Sequence, residues 1–305
     1  MSIKKVFITG STGYIGGSVA HVLLKNGYQV TALVRKPEDA DKLRRLGITP
    51  VIGSLLDLPV LRKEALASDA VIHTADADDP HSVITFLDTL KGTEKTFIFT
   101  SGSSLVGDFS KGEKADVIFN EDMPVEPRLE KAHRVSLNQY IQAFAKRDVR
   151  TIVIVPTMIY GEGLGLKKDS IQVPMLTEIS QERKAGIYIE KGENIWSNAH
   201  VSDLAQLYLI ALEKAASGSY FYAENGEASL KDIAVNISNK LGFEGRTESI
   251  SLDEATKIWG PDAAGFGFAS NSRVNADKAR TLLGWKPVHT SILEDIEQLS
   301  EALRE

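Results

Sequence analysis

The run Gly10-Ser11-Thr12-Gly13-Tyr14-Ile15-Gly16 has the residue types and spacing to hold a phosphate. It lies between an apolar stretch, Val6-Phe7-Ile8-Thr9, and a segment that reads as helical from Tyr14 to Asn26. In that setting Gly10 permits a tight turn, Gly13 lets the backbone approach a pyrophosphate, and Gly16 lets helix and strand pack closely. Unpaired N–H groups and the positive dipole end at the helix start then face the anion. A glycine turn with a purely structural purpose is the alternative, and the flanking strand and helix weigh against it. The next apolar stretch ends in Leu33-Val34-Arg35-Lys36. A carboxylate at that strand end would accept from ribose hydroxyls and select NAD. A guanidinium forks onto a 2′-phosphate instead, so Arg35 favours NADP(H), with NAD(H) as the alternative. Asp57 either accepts from an adenine amino group or caps a helix that begins at Leu58.

A second group, His73, Asp76, Asp78, Asp79 and His81, crowds one strand end and the loop after it. Such residues can ligate metal, but the Asp-Pro-His run is more simply a helix start, and no metal site is assigned. The chain has no cysteine, which excludes disulfides, thiolate metal sites and cysteine nucleophiles. A net charge of -6 gives no electrostatic footprint for nucleic acid or an anionic membrane. Met1-Ser2-Ile3-Lys4-Lys5 runs straight into the first apolar stretch, and no apolar run reaches membrane-spanning length. The expectation is a cytoplasmic protein with a small-molecule partner.

The elements that must position these residues repeat in a fixed order. Strands are expected at Val6–Thr9, Tyr28–Val34, Thr49–Ile52, Ala70–Thr74, Lys95–Thr100 and Arg150–Val155, with helices near 38–46, 58–67, 80–91 and 128–147 between them. Alternation of this kind makes an α/β fold with a doubly wound parallel sheet and a crevice at its carboxyl edge. Residues 1–156 form the dinucleotide-binding Rossmann domain on this reading. Residues 157–305 form mainly a smaller C-terminal substrate lobe, with 199–215 packing back on the sheet. In that part helices are expected near 170–184, 203–215, 229–241 and 289–303, and short strands at Ile187–Glu190 and Tyr220–Tyr222.

Four further stretches carry a family resemblance. Asp69-Ala70-Val71-Ile72-His73-Thr74-Ala75 resembles the fourth strand of short-chain dehydrogenases/reductases. Val155-Pro156-Thr157-Met158-Ile159-Tyr160-Gly161 is similar to the segment that passes the nicotinamide in the extended branch. His200-Val201-Ser202-Asp203, and Asp277-Lys278-Ala279 with Leu283-Gly284-Trp285-Lys286-Pro287, match that branch's C-terminal half. The resemblance implies an NAD-dependent epimerase/dehydratase-like architecture with substrate bound between two lobes. It places Gly10, Thr12, Gly13, Tyr14, Ile15 and Gly16 along the pyrophosphate and Thr74 and Ala75 beside the cofactor. Pro156, Thr157, Met158 and Ile159 fall at the carboxamide. Family members often pair through two long helices, here 80–91 and 128–147, so a homodimer is expected.

The chemistry departs from that pattern. The family's acid/base Tyr and the Lys four residues later fall on Glu130 and Arg134, and no Tyr in the chain has a Lys four residues on. A carboxyl titrates at about 4.3, some six units below a phenol, and Arg134 one helical turn on would push Glu130 lower, so an ion pair is expected there. Arg134 can still bond the nicotinamide ribose. The assisting Ser falls on Gly102, flanked by Ser101 and Ser103. Ser101, Ser103, His133, Tyr160 or a bound water all remain open as proton donor. By the resemblance, the position of the Arg that clamps a sugar diphosphate in epimerases and dehydratases falls on Trp196, whose indole cannot neutralise that charge, so an apolar or aromatic molecule fits better. Three functions follow: an NADP(H)-dependent oxidoreductase acting on a carbonyl or related group, a catalytically silent NADP(H)-binding redox sensor resembling the NmrA type, and a sugar-nucleotide epimerase/dehydratase.

Overall fold

The computed structural model describes residues 3–298. In chain order, β1 (Lys5–Thr9), α1 (Tyr14–Lys25), β2 (Gln29–Val34), α2 (Pro37–Arg45), β3 (Thr49–Ile52), α3 (Leu58–Ala67), β4 (Ala70–His73), α4 (Pro80–Leu90) and β5 (Thr96–Thr100) alternate without interruption. A long connection leads to α5 (Ala132–Ala143) and β6 (Arg150–Pro156). After these come β7 (Met158–Tyr160), α6 (Gln172–Arg183), β8 (Gly186–Ile189), β9 (Ile195–His200), α7 (Val201–Lys214) and β10 (Ser219–Ala223). The chain continues with β11 (Glu227–Ser229), α8 (Leu230–Lys240), β12 (Thr247–Ile250), α9 (Leu252–Asp262) and α10 (Ile292–Gln298). The part of the expected helix 289–303 beyond residue 298, like Met1 and Ser2, lies outside the described residues.

The main sheet has the order β10-β6-β5-β4-β1-β2-β3, and every pairing is parallel. The order in which strands are added reverses between β1 and β4, which is where a doubly wound sheet opens its crevice. Strands covered on both faces are apolar throughout, and the pleat divides their side chains. Val6 and Ile8 of β1 join one core with α1, α2 and α7, whereas Phe7 joins the opposite core with α3, α4 and α5. The expected packing of 199–215 on the sheet is seen in α7, which lies against α1.

Two expectations change. Tyr220–Tyr222 belongs to β10, the seventh strand of the main sheet, and not to the smaller lobe. Its pairing with β6 is invisible locally because residues 157–218 intervene. The expected helix 128–147 is broken: Leu129–Lys131 is a single 3₁₀ turn, and regular α-helix begins at Ala132. The smaller lobe contains a three-stranded sheet β11-β9-β7, a two-stranded sheet β12-β8 and its own apolar core.

Candidate active site

β1 delivers the chain to Gly10, whose φ of +83° suits glycine. Thr74 stands behind the turn and donates from Oγ1 to the Thr9 carbonyl at 2.7 Å. A Cβ at Gly10 would lie 2.7 Å from that Oγ1, and a Cβ at Gly16 would collide with both Thr74 Oγ1 and the Gly10 carbonyl. Gly13 precedes α1 and supplies no capping side chain, so the first-turn amides of Tyr14, Ile15 and Gly16 are left for a ligand. This cradle fits a dinucleotide pyrophosphate. The Tyr14 side chain turns away: its hydroxyl donates to the Gly161 carbonyl at 2.6 Å, and burial pushes its phenol above the usual range. Ile15 packs against the core, so both residues serve the turn through their backbone.

Arg35 is exposed at the carboxyl end of β2 and forms no ion pair among the described residues. Asp57 does not cap α3. Its Oδ2 instead accepts from Ser54 N at 2.7 Å and Ser54 Oγ at 3.2 Å, because the loop folds back before the helix begins. Leu58 packs on the outer core. The His73–His81 group separates into individual tasks. Asp79 caps α4 by accepting from His81 N and Ser82 N. His73 is buried between Thr9 Oγ1 and the Asp76 carbonyl, and burial lowers its pKa to about 4. Asp78 reaches across to His133 and Arg134. Ala75 is exposed beside them.

A cleft of about 280 Å³ lies between the sheet edge and the smaller lobe. Gly102, Ser103, Ser104, Pro156 and Thr157 form its sheet side, and Trp196, Met175, Phe266 and Phe268 its lobe side. Arg134 also lines it. The guanidinium binds both carboxylate oxygens of Asp78, and its NH1 donates to Ser104 Oγ at 3.0 Å. A Cβ at residue 102 would lie 3.2 Å from that NH1, so glycine at this position leaves room for the guanidinium.

The expected Glu130–Arg134 pair does not form. Glu130 is exposed and its nearest cation is Arg128 at 3.9 Å, since the 3₁₀ turn takes residue 130 off the helix face that carries Arg134. Ser101 Oγ is buried and accepts from Asn138 Nδ2 at 3.0 Å. Ser103 Oγ is buried 2.8 Å from Ser272 Oγ. His133 is half-exposed, with Nε2 2.8 Å from Asp78 Oδ1. Tyr160 is not brought to the cleft. The pleat of β7 turns Met158 and Tyr160 into the lobe core and Ile159 into the main core, and burial drives the Tyr160 phenol above its usual range. Only backbone atoms of Met158 and Ile159 are left to meet a carboxamide. Thr157 Oγ1 donates to the Ala223 carbonyl at 2.8 Å. Trp196 both packs the lobe and faces the cleft, with Nε1 donating to the Ser270 carbonyl at 2.8 Å.

Lys131 was hidden by the helical reading of 128–147. Its side chain is buried on the cleft wall, with Nζ 2.7 Å from Asp262 Oδ1 and 4.7 Å from the Phe266 ring centre. The loop that carries Lys167, Lys168 and Asp169 docks on α1. Leu164 N donates to Ser18 Oγ at 3.0 Å, and Gly165 lies so close to Gly17 that a Cβ there would be 2.6 Å from the Gly17 Cα.

Residues 6–222 match the model of the NAD dependent epimerase/dehydratase family. The chain belongs to that family. This epimerase/dehydratase-family chain is 32% identical to an uncharacterized protein of Schizosaccharomyces pombe, a match that covers 96% of the chain and 98% of the relative. It is 22% identical to the 4-hydroxy-2-methyl-3-oxo-4-farnesyl-3,4-dihydroquinoline-1-oxide ketoreductase of Stigmatella aurantiaca, over 98% and 97% of the two chains. The dTDP-glucose 4,6-dehydratase of Bacillus anthracis, solved in complex with NAD, shares the fold with a TM-score of 0.77 at 17% identity, over 96% of this chain and 94% of that one. Among the described residues no helix is long and apolar enough to cross a membrane.

Proposed function

We propose that this chain is an NADP(H)-dependent oxidoreductase that reduces a carbonyl, or a related group, of a small apolar metabolite. The observation that carries the cofactor choice is Arg35, exposed at the end of β2 with no ion pair among the described residues, where a 2′-phosphate would lie. When bound, the nicotinamide would supply hydride. The chain's own part is to orient and to exclude water. The glycine turn would hold the pyrophosphate, Pro156 and Thr157 would bound the nicotinamide, and Arg134 would donate to its ribose. Trp196, Phe266 and Phe268 would hold the apolar body of the substrate.

The two cations on the cleft, Lys131 and Arg134, each already face a carboxylate, Asp262 and Asp78. The cleft therefore offers N–H donors without surplus positive charge, which suits a neutral carbonyl compound better than a sugar diphosphate. The ketoreductase relative agrees with carbonyl chemistry. A second reading is a silent NADP(H) sensor, favoured by the missing Tyr–Lys pair and by the clasp of Asp78 on Arg134. The test is NADPH and NADH binding by fluorescence, followed by NADPH oxidation with a panel of aldehydes and aryl ketones. Turnover supports the oxidoreductase. Tight NADPH binding with no turnover across the panel favours the sensor.

A further inference from the structure

We propose that Lys131 donates the proton to the carbonyl oxygen, in the place that the family gives to tyrosine; this rests on the oxidoreductase reading above. The tyrosine position itself, Glu130, points to solvent. The 3₁₀ turn at Leu129–Lys131 brings the next residue inward instead. The Lys131 side chain is more than nine-tenths buried, and its Nζ sits between Asp262 and Phe266, both of which line the cleft.

The other hydrogen-bearing groups on the cleft are committed or unsuited. Arg134 does not release a proton in proteins. Trp196 Nε1 donates to Ser270 and Thr157 Oγ1 donates to Ala223; Ser104 Oγ accepts from Arg134 and keeps its own O–H, but an aliphatic hydroxyl is a far weaker acid than an ammonium. Ser103 Oγ is buried against Ser272, and Gln172 carries an amide that is no acid. Lys131 keeps two N–H bonds beyond the one aimed at Asp262. When bound, a reduced nicotinamide would supply hydride to the carbonyl carbon, and the C=O π pair would move to oxygen. That oxygen takes a proton from Nζ. The carbonyl is reduced and the nicotinamide oxidised. Neutral Lys131 then takes a proton from water, which reaches it along the exposed Asp262.

The test uses two variants and two readouts. Lys131→Gln lowers kcat of carbonyl reduction by about 10²-fold or more, the usual scale of a lost general acid, while NADPH affinity stays near wild type. Lys131→Arg keeps the contact with Asp262, guarding against a folding defect, and loses kcat equally because a guanidinium holds its protons. The second readout needs no cofactor. 4-Nitrophenol bound in the cleft presents an oxyanion where the carbonyl oxygen would sit. Wild type and Lys131→Arg raise the bound phenolate fraction, read by absorbance, and Lys131→Gln does not. Wild-type kcat in Lys131→Gln, or an undiminished phenolate shift in that variant, overturns the proposal. A wild type inert toward every carbonyl sinks the oxidoreductase reading alone, and the phenolate shift still upholds or overturns an oxyanion contact at Lys131.

Discussion

At the glycine turn, recognition of a dinucleotide would rest on backbone amides that Gly10, Gly13 and Gly16 leave uncovered. Across the cleft it would rest on the side chains of Lys131 and Arg134, each held by a carboxylate from another part of the chain. The two regions tolerate change differently. The backbone cradle needs empty space against Thr74, so almost any added side chain harms it. The cleft can be rebuilt, since one shape can be lined by different donors. At Gly102, which lacks a side chain, the Arg134 guanidinium fills the space, and a buried Lys131 lies beside an exposed Glu130. On the proposed function, the dinucleotide site would be a property of the fold, whereas the reaction would be a property of a few side chains grafted on it.

That contrast can be broken at several points. The largest effect belongs to Gly16→Val. The new Cβ would collide with Thr74 Oγ1 and the Gly10 carbonyl, and a cost of about 1–3 kcal/mol borne by the bound turn corresponds to roughly a 5- to 150-fold loss of NADPH affinity. Unchanged binding in fluorescence titration would mean the cradle is not where the phosphates lie. Next comes pH. Burial holds His73 neutral with a pKa of about 4, and burial together with the charge of His289 does the same to His200, also about 4. Between those values and the unfolded value of about 6.5 the unfolded chain binds more protons, so stability falls as pH drops through that window. His73 alone accounts for about 3 kcal/mol of the loss. Asp295, pushed up by burial, works in the opposite direction. Urea midpoints that stay level from pH 7 to the acid end of that window would refute the account.

Arg134→Ala removes a charged donor on the cleft and releases Asp78, so NADPH binding should weaken by about 10-fold, the scale of one hydrogen bond to a charged group. Wild-type affinity in that variant would exclude the ribose role and leave Arg134 as a tie between Asp78 and Ser104. Arg35→Asp should move the NADPH-to-NADH affinity ratio toward NADH by a similar or smaller factor, because the residue is exposed and screened by salt. An unchanged ratio would remove the case for a 2′-phosphate. The smallest effect is expected at Asp57→Asn. Its carboxylate is occupied with Ser54, so NADPH affinity should shift by only a few-fold.

Much of the dinucleotide half was legible residue by residue. Apolar runs such as Val6–Thr9 and Ala70–His73 are short and continuous because both sheet faces are covered, and the glycine spacing lies within one turn. The legible part of the cleft was narrower. Arg134 and Trp196 were placed on it by counting from family motifs, and both line it. The same counting failed for Tyr160, which the pleat of β7 turns into the lobe core, and for Glu130, which the 3₁₀ turn leaves outside. Lys131 carried no local sign at all.

Sequence alone therefore determined the order of strands and helices up to β6, the glycine turn and the cation at the end of β2, because each depends on neighbours in the chain. Tertiary structure decided that Ser219–Ala223 completes the main sheet, that Asp78 rather than Glu130 faces Arg134, and that Lys131 is enclosed with Asp262 and Phe266. Those outcomes join residues 56 to 135 positions apart, and nothing short-range in a chain encodes which distant side chain will arrive when its apolar faces are buried.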